Sequence, residues 1–431
     1  MQPFDYVLED EDIKELRKDL KHTRIKFTFL SIFTTFIIFG GMMLFKTEKT
    51  PTYLQDLVRS HGTNEDLFRL NDILLNSQTI AEDLNRGKRA LSAVSYQDYK
   101  RRSPLLEALE LGIGSVEVDA WYMDGIDYDL FVGTHQFGLT SYRTINSLYL
   151  GILNKLLDQL NPKNSDGSVG TMRGPFYDDP SQSFNLVIDV KNNPDMLFRV
   201  LQRNLEVFQL KKYLTTYDTV KEEWYHGPIT IMLTGDVPFD SIRNQTVRNC
   251  FVDAPLKMLH EDESKFSEKY PEGLTLSASG TLYEITGSKS AGNDDNGLSS
   301  EQLSTLSTYI NTAHKLGLKV RITELPVSGS FFSPDSKAFR ERIWTQLLQL
   351  SVDVLDIEHI KDCYDFLVAY NLAKAKSSGT ENLADVKHEK EEDFEMEEIK
   401  ESHAAEIEKL KEQHDLEEVQ SQKKTNDTEV V

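Results

Sequence analysis

Short runs rich in β-branched and aromatic residues alternate with segments of helical periodicity from about residue 90 to about residue 360. Eight of these runs are predicted strands, and helical segments separate most of them. Eight strands with intervening helices predict an α/β fold, namely a closed TIM-type (β/α)8 barrel. An open doubly wound sheet is the alternative, but no glycine-rich phosphate loop supports it. The predicted strands are Leu91–Ser95, Ser115–Tyr122, Phe184–Lys191, Ile229–Thr234, Cys250–Ala254, Leu274–Ala278, Lys319–Leu325 and Val352–Glu358, and the clearest helices between them are Pro104–Leu111, Asp195–Phe208, Ser300–Leu316 and Ser336–Leu350.

Residues 27–45 form a run of 19 residues without a charged side chain. At a helical rise of about 1.5 Å per residue, this run spans about 28 Å and matches the hydrocarbon core of a bilayer. It is therefore predicted to be a single transmembrane helix that acts as a signal-anchor. Six basic residues precede it between positions 14 and 26 and fewer follow it closely, so the positive-inside rule predicts a cytosolic N-terminus and a barrel on the lumenal or extracellular side. Acidic residues between positions 5 and 12 disfavour a cleaved signal peptide.

The chain is strongly acidic, and its charge is unevenly distributed. It contains 48 Lys and Arg against 70 Asp and Glu, which gives a formal net charge of −22. Half of this excess lies in residues 377–431, which hold 18 acidic and 7 basic side chains. The acidic balance argues against a nucleic-acid partner, because neutralising phosphates requires a basic surface. The tail is predicted to be a solvated helix or a disordered segment that can serve a protein partner.

These features divide the chain into five predicted parts. A cytosolic segment (1–26) precedes the transmembrane helix (27–45), and a lead-in linker (46–89) connects this helix to the barrel (90–370). The acidic tail (371–431) follows the barrel. The lipid bilayer is therefore an expected partner of the chain.

Three carboxylates interrupt the apolar pattern of the second and third predicted strands. Glu117 and Asp119 are two residues apart, so both side chains point to the same face of the strand. Asp189 lies near the end of the next strand, at an equivalent height. Carboxylates on apolar strands are costly unless they are paired or bound to a cation, and a hard divalent ion such as Mg²⁺ or Ca²⁺ would compensate them. The alternative is that they form salt bridges with Lys191 or Arg321.

Several motifs occur in an order that resembles one known family. They are Tyr99-Lys-Arg-Arg-Ser-Pro104, Gly114-Ser-Val-Glu117-Val-Asp119, Leu130-Phe-Val-Gly133, Arg143-Thr-Ile-Asn-Ser-Leu-Tyr149, Leu186-Val-Ile-Asp189-Val-Lys191, Phe251-Val-Asp-Ala-Pro-Leu256, Ala313-His-Lys-Leu-Gly317 and Val352-Asp-Val-Leu355. Over about residues 90–370, the series resembles the fungal altered inheritance of mitochondria protein 6 family, within the phospholipase C-like phosphodiesterase superfamily. The resemblance implies a barrel that splits phosphodiesters with a divalent metal, Mg or Ca, and two histidines that act as acid and base. Glu117, Asp119 and Asp189 match its metal carboxylates.

The two expected histidine positions depart from the family pattern. The family usually has Ser-His-Asn-Asp-Tyr after the first strand, whereas this chain has Ser95-Tyr-Gln-Asp-Tyr99, with Tyr96 at the position of the first histidine. A phenol with a pKa of about 10 is a poor general base at neutral pH. The second histidine usually follows the Val-Gly pair directly, whereas His135 lies one residue later, which in an extended segment turns its side chain to the opposite face. Tyr96, His135 and Lys191 are the candidate catalytic residues.

The residues and the resemblance leave three hypotheses for the function. In the first, a membrane-anchored enzyme hydrolyses a phospholipid or a glycerophosphodiester with the assistance of a metal. In the second, the barrel is catalytically weakened at Tyr96 and binds a phosphate ligand or a protein partner. The third is a purely structural membrane protein, which does not account for the three carboxylates.

Overall fold

Parallel strands close into a barrel in the computed structural model, which describes residues 84–163, 170–288, 297–325 and 337–377. The strands are β1 (Leu91–Ser95), β2 (Ile113–Trp121), β3 (Phe131–Val132), β4 (Phe184–Val190), β5 (Thr216–Asp218), β6 (Glu223–Tyr225), β7 (Ile229–Gly235), β8 (Val247–Arg248), β9 (Cys250–Pro255), β10 (Thr275–Thr281), β11 (Lys319–Thr323) and β12 (Val354–Ile357). The ring has the order β1-β2-β4-β7-β9-β10-β11-β12, and it closes because β1 pairs in parallel with both β2 and β12. Outside the ring, β3 lies antiparallel to β2, and β5, β6 and β8 form a separate antiparallel sheet.

The closed ring confirms the predicted TIM-type barrel and excludes an open sheet. Each of the eight predicted strands coincides with a strand of the barrel. The largest difference is at β10, which continues to Thr281 although the prediction ended at Ala278. The small antiparallel sheet was not predicted, because its strands have only two or three residues and carry no usable periodicity.

Helices follow most of the barrel strands and cover the outside of the ring. They are α1 (Leu106–Glu110), α2 (Gly151–Leu160), α3 (Pro194–Leu210), α4 (Phe239–Arg243), α5 (Leu256–Glu261), α6 (Glu263–Lys269), α7 (Leu282–Thr286), α8 (Ser300–Lys315), α9 (Lys337–Gln349) and α10 (Ile360–Ser377). The start of α3 is favoured by Pro194 in its first turn, and the start of α8 by a capping box between Ser299 and Gln302. The four predicted helices correspond to α1, α3, α8 and α9 and are confirmed.

The alternation of side chains along β2 positions the site. Val116, Val118 and Ala120 are fully buried in the continuous apolar core. The residues between them, Glu117 and Asp119, point to the opposite face of the strand, which is the inside of the ring. A parallel barrel strand is covered on both faces, so β2 is buried along nearly its whole length even though it carries two acids.

Described structure continues on both sides of the predicted barrel bounds, residues 90 and 370. Leu84 is buried, and the Asn85 side chain donates from Nδ2 to the carbonyl of Pro175 at 2.9 Å. At the other end, α10 continues to Ser377. None of the described helices has the length and hydrophobicity of a membrane span. The predicted transmembrane helix (27–45), the N-terminal segment and the tail after residue 377 lie outside the described residues.

Candidate functional site

A cavity of about 530 Å³ opens at the carboxyl ends of the barrel strands. Its lining includes Glu117 from β2, Asp189 from β4, Asp253 from β9 and Arg321 from β11, together with Tyr96, which directly follows β1. Active sites of TIM-type barrels lie at this end of the ring. The cavity is therefore the candidate site, and its lining holds six acidic residues and two basic ones.

The carboxylate cluster, defined as Glu117, Asp119 and Asp189, brings the three predicted metal ligands together. One carboxylate oxygen from each residue lies within 4.8 Å of the other two. Asp119 and Asp189 are Cα partners in the parallel pairing of β2 with β4, so they have the equal height that the sequence predicted. Oxygens that share one Ca²⁺ at ligand distances of about 2.3–2.6 Å are at most about 5 Å apart. The geometry of the cluster thus fits a single divalent ion.

Two basic side chains already contact this cluster. Lys191 Nζ lies 2.5 Å from Asp189 Oδ2 and 3.3 Å from Asp119 Oδ1. Arg321 Nη2 donates a hydrogen bond to Glu117 Oε2. The salt bridges that the sequence offered as the alternative to a metal are therefore both present.

These cations do not balance the acids that surround them. The carboxylate cluster, Asp253 and Asp356 supply five carboxylates, and Lys191 and Arg321 supply two positive charges, which leaves three negative charges in excess when all are ionised. The imbalance agrees with the raised pKa values in the group. Burial raises the pKa of Glu117 against the opposing effect of Arg321, and burial likewise raises the pKa of Asp189 against Lys191. A bound divalent cation would relieve this excess, so the charge also fits a metal site.

Asp356, another of these five acids, lies beside Arg321 and contributes to the excess of negative charge. Its Oδ1 lies 3.2 Å from Arg321 Nε, without hydrogen-bond geometry, and has no hydrogen bond among the described residues. Burial, opposed by Arg321 and reinforced by Glu117 and Asp253, raises the pKa of Asp356 to about 7. A fully buried acid of this kind is costly to ionise, which is why a barrel interior keeps it beside a guanidinium.

Tyr96 lines the cavity at the place where the family has its first histidine. Burial and the neighbouring Glu117, Asp356, Asp119 and Glu324 carboxylates raise the pKa of the Tyr96 phenol to about 12. The phenol therefore remains neutral at physiological pH. It can donate a hydrogen bond, but it cannot serve as a general base.

His135 does not reach this cavity. It is exposed and precedes a 3-10 turn at Gln136–Gly138, and the cavity lining does not include it. The neighbouring Thr134 points inward instead, with its Oγ1 at 3.1 Å from the Tyr99 hydroxyl. This is the face reversal that the one-residue offset predicted. Among the described residues, no histidine lines the larger cavity; His359 lines a smaller one of about 130 Å³ on the other side of Tyr96.

Several residues of the site were not identified from the sequence. Tyr99 donates from its hydroxyl to Asp119 Oδ2 at 2.6 Å and so orients a cluster carboxylate. Asp253 and Asp356 lie inside the apolar strands β9 and β12, the same signal that identified Glu117, but the strand order was needed to bring them together. Gly235 has a φ of +77°, and a Cβ at this position would overlap Asp189 Oδ1.

Comparison with known proteins agrees with the sequence motifs. The AIM6-like phosphodiesterase domain matches residues 82–253. The altered inheritance of mitochondria protein 6 of Lachancea thermotolerans is 31% identical over 307 residues, which cover 66% of this chain and 67% of that protein. The protein of the same name from Eremothecium gossypii is 28% identical over 66% of this chain and 71% of its own length.

A homolog from Arthroderma benhamiae is 30% identical over 60% of this chain and 81% of its own length. Among solved structures, a glycerophosphodiester phosphodiesterase from Parabacteroides distasonis aligns with 66% of this chain and 99% of its own, at 11% identity and a TM-score of 0.34. The sequence identity extends over most of the length of each of these fungal relatives. Together with the matched domain, it confirms the resemblance seen in the sequence motifs. The chain therefore belongs to the altered inheritance of mitochondria protein 6 family, whose barrel is phosphodiesterase-like.

Proposed function

We propose that the barrel binds a divalent cation, Mg²⁺ or Ca²⁺, at Glu117, Asp119 and Asp189 and uses it to bind and hydrolyse a phosphodiester of the phospholipid or glycerophosphodiester kind. The observation that carries this proposal is the convergence of the three carboxylates at the mouth of the barrel, within 4.8 Å of one another. The excess negative charge around them adds support, because it favours a divalent ion over the two basic side chains alone. When bound, such an ion would polarise a phosphoryl oxygen.

The side chains of this chain have distinct tasks in the proposed reaction. Burial acts to lower the pKa of Lys191, but its contacts with Asp189 and Asp119 raise it, so its ammonium stays charged. Its flexible stem lets Nζ leave the two aspartates and pair with a phosphate oxygen when the ion is present. Tyr96, neutral at physiological pH, donates a hydrogen bond toward the phosphate or the leaving alcohol. Glu117 and Asp119 are held in place by Arg321 and Tyr99.

A second candidate function is a catalytically weakened barrel that binds a phosphate ligand or a protein partner without turning it over. The observation that favours it is the absence of an imidazole from the lining of the larger cavity among the described residues. General acid and base groups contribute about 10²–10⁴-fold each, so a site without them is slow even when its metal is bound. The two candidates differ in turnover and share the metal site.

Metal binding and turnover should be measured on the purified full-length chain. Calorimetric titration with MgCl₂ or CaCl₂ is expected to show one site that Glu117→Gln abolishes and that Glu268→Gln, an exposed matched control on α6, leaves unchanged. Hydrolysis of bis(p-nitrophenyl) phosphate that is lost in Glu117→Gln supports the enzyme. Activity that appears only in Tyr96→His supports the weakened barrel. A wild-type chain that binds neither ion contradicts both candidates.

We also propose that residues 27–45 anchor the chain in a membrane, with the N-terminus in the cytosol and the barrel on the other side. The support is the length of the uncharged run and the basic residues that precede it. Alkaline carbonate extraction followed by protease protection on intact membranes tests both parts. Release of the chain by carbonate contradicts the anchor, and digestion of the barrel from the cytosolic side contradicts the orientation.

A further inference from the structure

Arg321 is a buried guanidinium with donors that the protein does not use. It lies on β11 with 7% of its surface exposed, and it lines the 530 Å³ cavity. Its one hydrogen bond to the described residues goes from Nη2 to Glu117 Oε2. Nε approaches Asp356 Oδ1 at 3.2 Å without forming a hydrogen bond, and it is buried without another hydrogen-bond partner among the described residues.

Unused donors on a buried charge point to a missing acceptor. A guanidinium carries five N–H donors in a fixed plane, and a buried donor left without an acceptor is unfavourable. The contacts with Glu117 and Asp356 fix this plane from two sides, so Arg321 is held in place before any ligand arrives. Burial acts to lower the pKa of Arg321, but Asp356 and Glu117 raise it, so the group remains a cation.

We propose that Arg321 is a phosphate-binding residue, whose free guanidinium donors hold a non-bridging oxygen of a phosphodiester monoanion beside the carboxylate cluster. This inference rests on the proposed function, because it needs an anion in the cavity. A phosphodiester has two non-bridging oxygens that share one negative charge. The planar fork of an arginine matches such a pair better than the point charge of a lysine.

The position of Arg321 gives this inference a signature that a purely structural role lacks. Its positive charge lies against Glu117, a proposed metal ligand, so it repels a divalent cation bound there. The same charge attracts a phosphate. Removing it is therefore expected to tighten metal binding and to weaken phosphate binding, whereas loss of a merely structural salt bridge loosens both.

The test uses the full-length chain and two calorimetric titrations. MgCl₂ is titrated first, and dimethyl phosphate, an unreactive phosphodiester monoanion, is then titrated at saturating Mg²⁺. In Arg321→Gln, the affinity for dimethyl phosphate is expected to fall about 10–100-fold, as a charged hydrogen bond of about 1.5–3 kcal/mol implies, and the affinity for Mg²⁺ is expected to rise. The matched control is Arg248→Gln, which removes an equally buried arginine near β5, away from the cavity, and should change neither affinity.

Arg321→Lys keeps the charge and carries the test if Arg321→Gln does not fold. It is expected to retain Mg²⁺ binding and to lose about tenfold in affinity for dimethyl phosphate, because an ammonium lacks the fork. Unchanged dimethyl phosphate affinity in a folded Arg321 variant overturns the inference, and so does a wild-type chain that binds Mg²⁺ but no dimethyl phosphate. Failure of the wild-type chain to bind either Mg²⁺ or Ca²⁺ contradicts the proposed function itself, which keeps the two failures distinct.

Discussion

Replacing Gly235 with alanine tests how tightly the fold constrains the carboxylate cluster. Gly235 ends β7 and has a φ of +77°, a left-handed conformation that residues with a Cβ rarely adopt. An added Cβ would overlap Asp189 Oδ1 and would lie 2.7 Å from the carbonyl oxygen of Val190. The Asp189 side chain can turn away from the new methyl group, but the Val190 carbonyl belongs to the backbone of β4 and cannot.

The expected cost follows from these two terms. The left-handed conformation costs a residue with a Cβ about 1–2 kcal/mol. Crowding of a packed interior adds about 1–3 kcal/mol, so Gly235→Ala should lower the free energy of unfolding by about 2–5 kcal/mol. Turning Asp189 away breaks its 2.5 Å contact with Lys191 and removes one member of the carboxylate cluster, so Mg²⁺ affinity should fall as well.

Gly317→Ala is the matched control for this substitution. Gly317 also has a positive φ, +70°, but no atom lies within 4 Å of the position that its Cβ would take. Gly317→Ala should therefore lower the free energy of unfolding only by the conformational cost of about 1–2 kcal/mol, and the variant should bind Mg²⁺ like the wild-type chain. Urea denaturation in EDTA measures the stability, and calorimetric titration measures the ion. Equal stability losses and equal Mg²⁺ affinities in the two variants would refute the close approach of β7 to Asp189.

Three further substitutions probe the surroundings of the cluster. Tyr99→Phe removes the 2.6 Å hydrogen bond to Asp119, so it should lower the free energy of unfolding in urea by about 1.5–3 kcal/mol and should also weaken Mg²⁺ binding. Tyr128→Phe, at a position that is 70% exposed, is the control, and equal effects of the two substitutions would contradict the role of Tyr99. Burial raises the pKa of Asp356 from 3.8 to about 7, so its contribution to stability is present below about pH 4 and is lost as the pH rises to about 7. The free energy of unfolding of the metal-free protein should fall over this pH range, and Asp356→Asn should make it less dependent on pH. The same pH dependence in the wild-type chain and in Asp356→Asn would contradict a raised pKa at Asp356. Gln97 has a φ of 45°, a left-handed conformation that asparagine tolerates better than glutamine. Gln97→Asn should therefore stabilise the fold by about 0.5–1 kcal/mol, measured as a higher melting temperature, and a lower melting temperature would contradict this explanation.

The barrel was predictable because its strands and helices carry separate periodicities. A strand such as β2 is covered on both faces, so apolar residues dominate it and its acids stand out. The spacing of Glu117 and Asp119 places both inside the ring, and the place of Asp189 in its strand gives it the same height as Asp119. These relations depend only on the geometry of extended strands, which a sequence displays directly.

The rest of the site depends on the register of the closed ring, which no local pattern encodes. Arg321 contacts Glu117 although it lies 204 residues later in the chain, and Asp356, on the last strand, lies beside Arg321. Lys191 and Arg321 were both expected as salt-bridge partners of the carboxylates, but which carboxylate each one contacts follows from the register of the ring. The inward turn of Tyr99 toward Asp119 depends on the helical turn at Asp98–Lys100, which is too short to predict.

The separation between Glu117 and Arg321 also has a consequence for biosynthesis. At a translation rate of about 5–20 residues per second, Glu117 leaves the ribosome roughly 10–40 s before the arginine that neutralises it. During this interval, burial of the acid is unfavourable, so β2 and β4 gain little by associating ahead of the later strands. We therefore expect the ring to assemble late and as a unit. An arrest of synthesis before β11 would leave a nascent chain with solvated acids and unpaired strand edges, the kind of surface that chaperones bind.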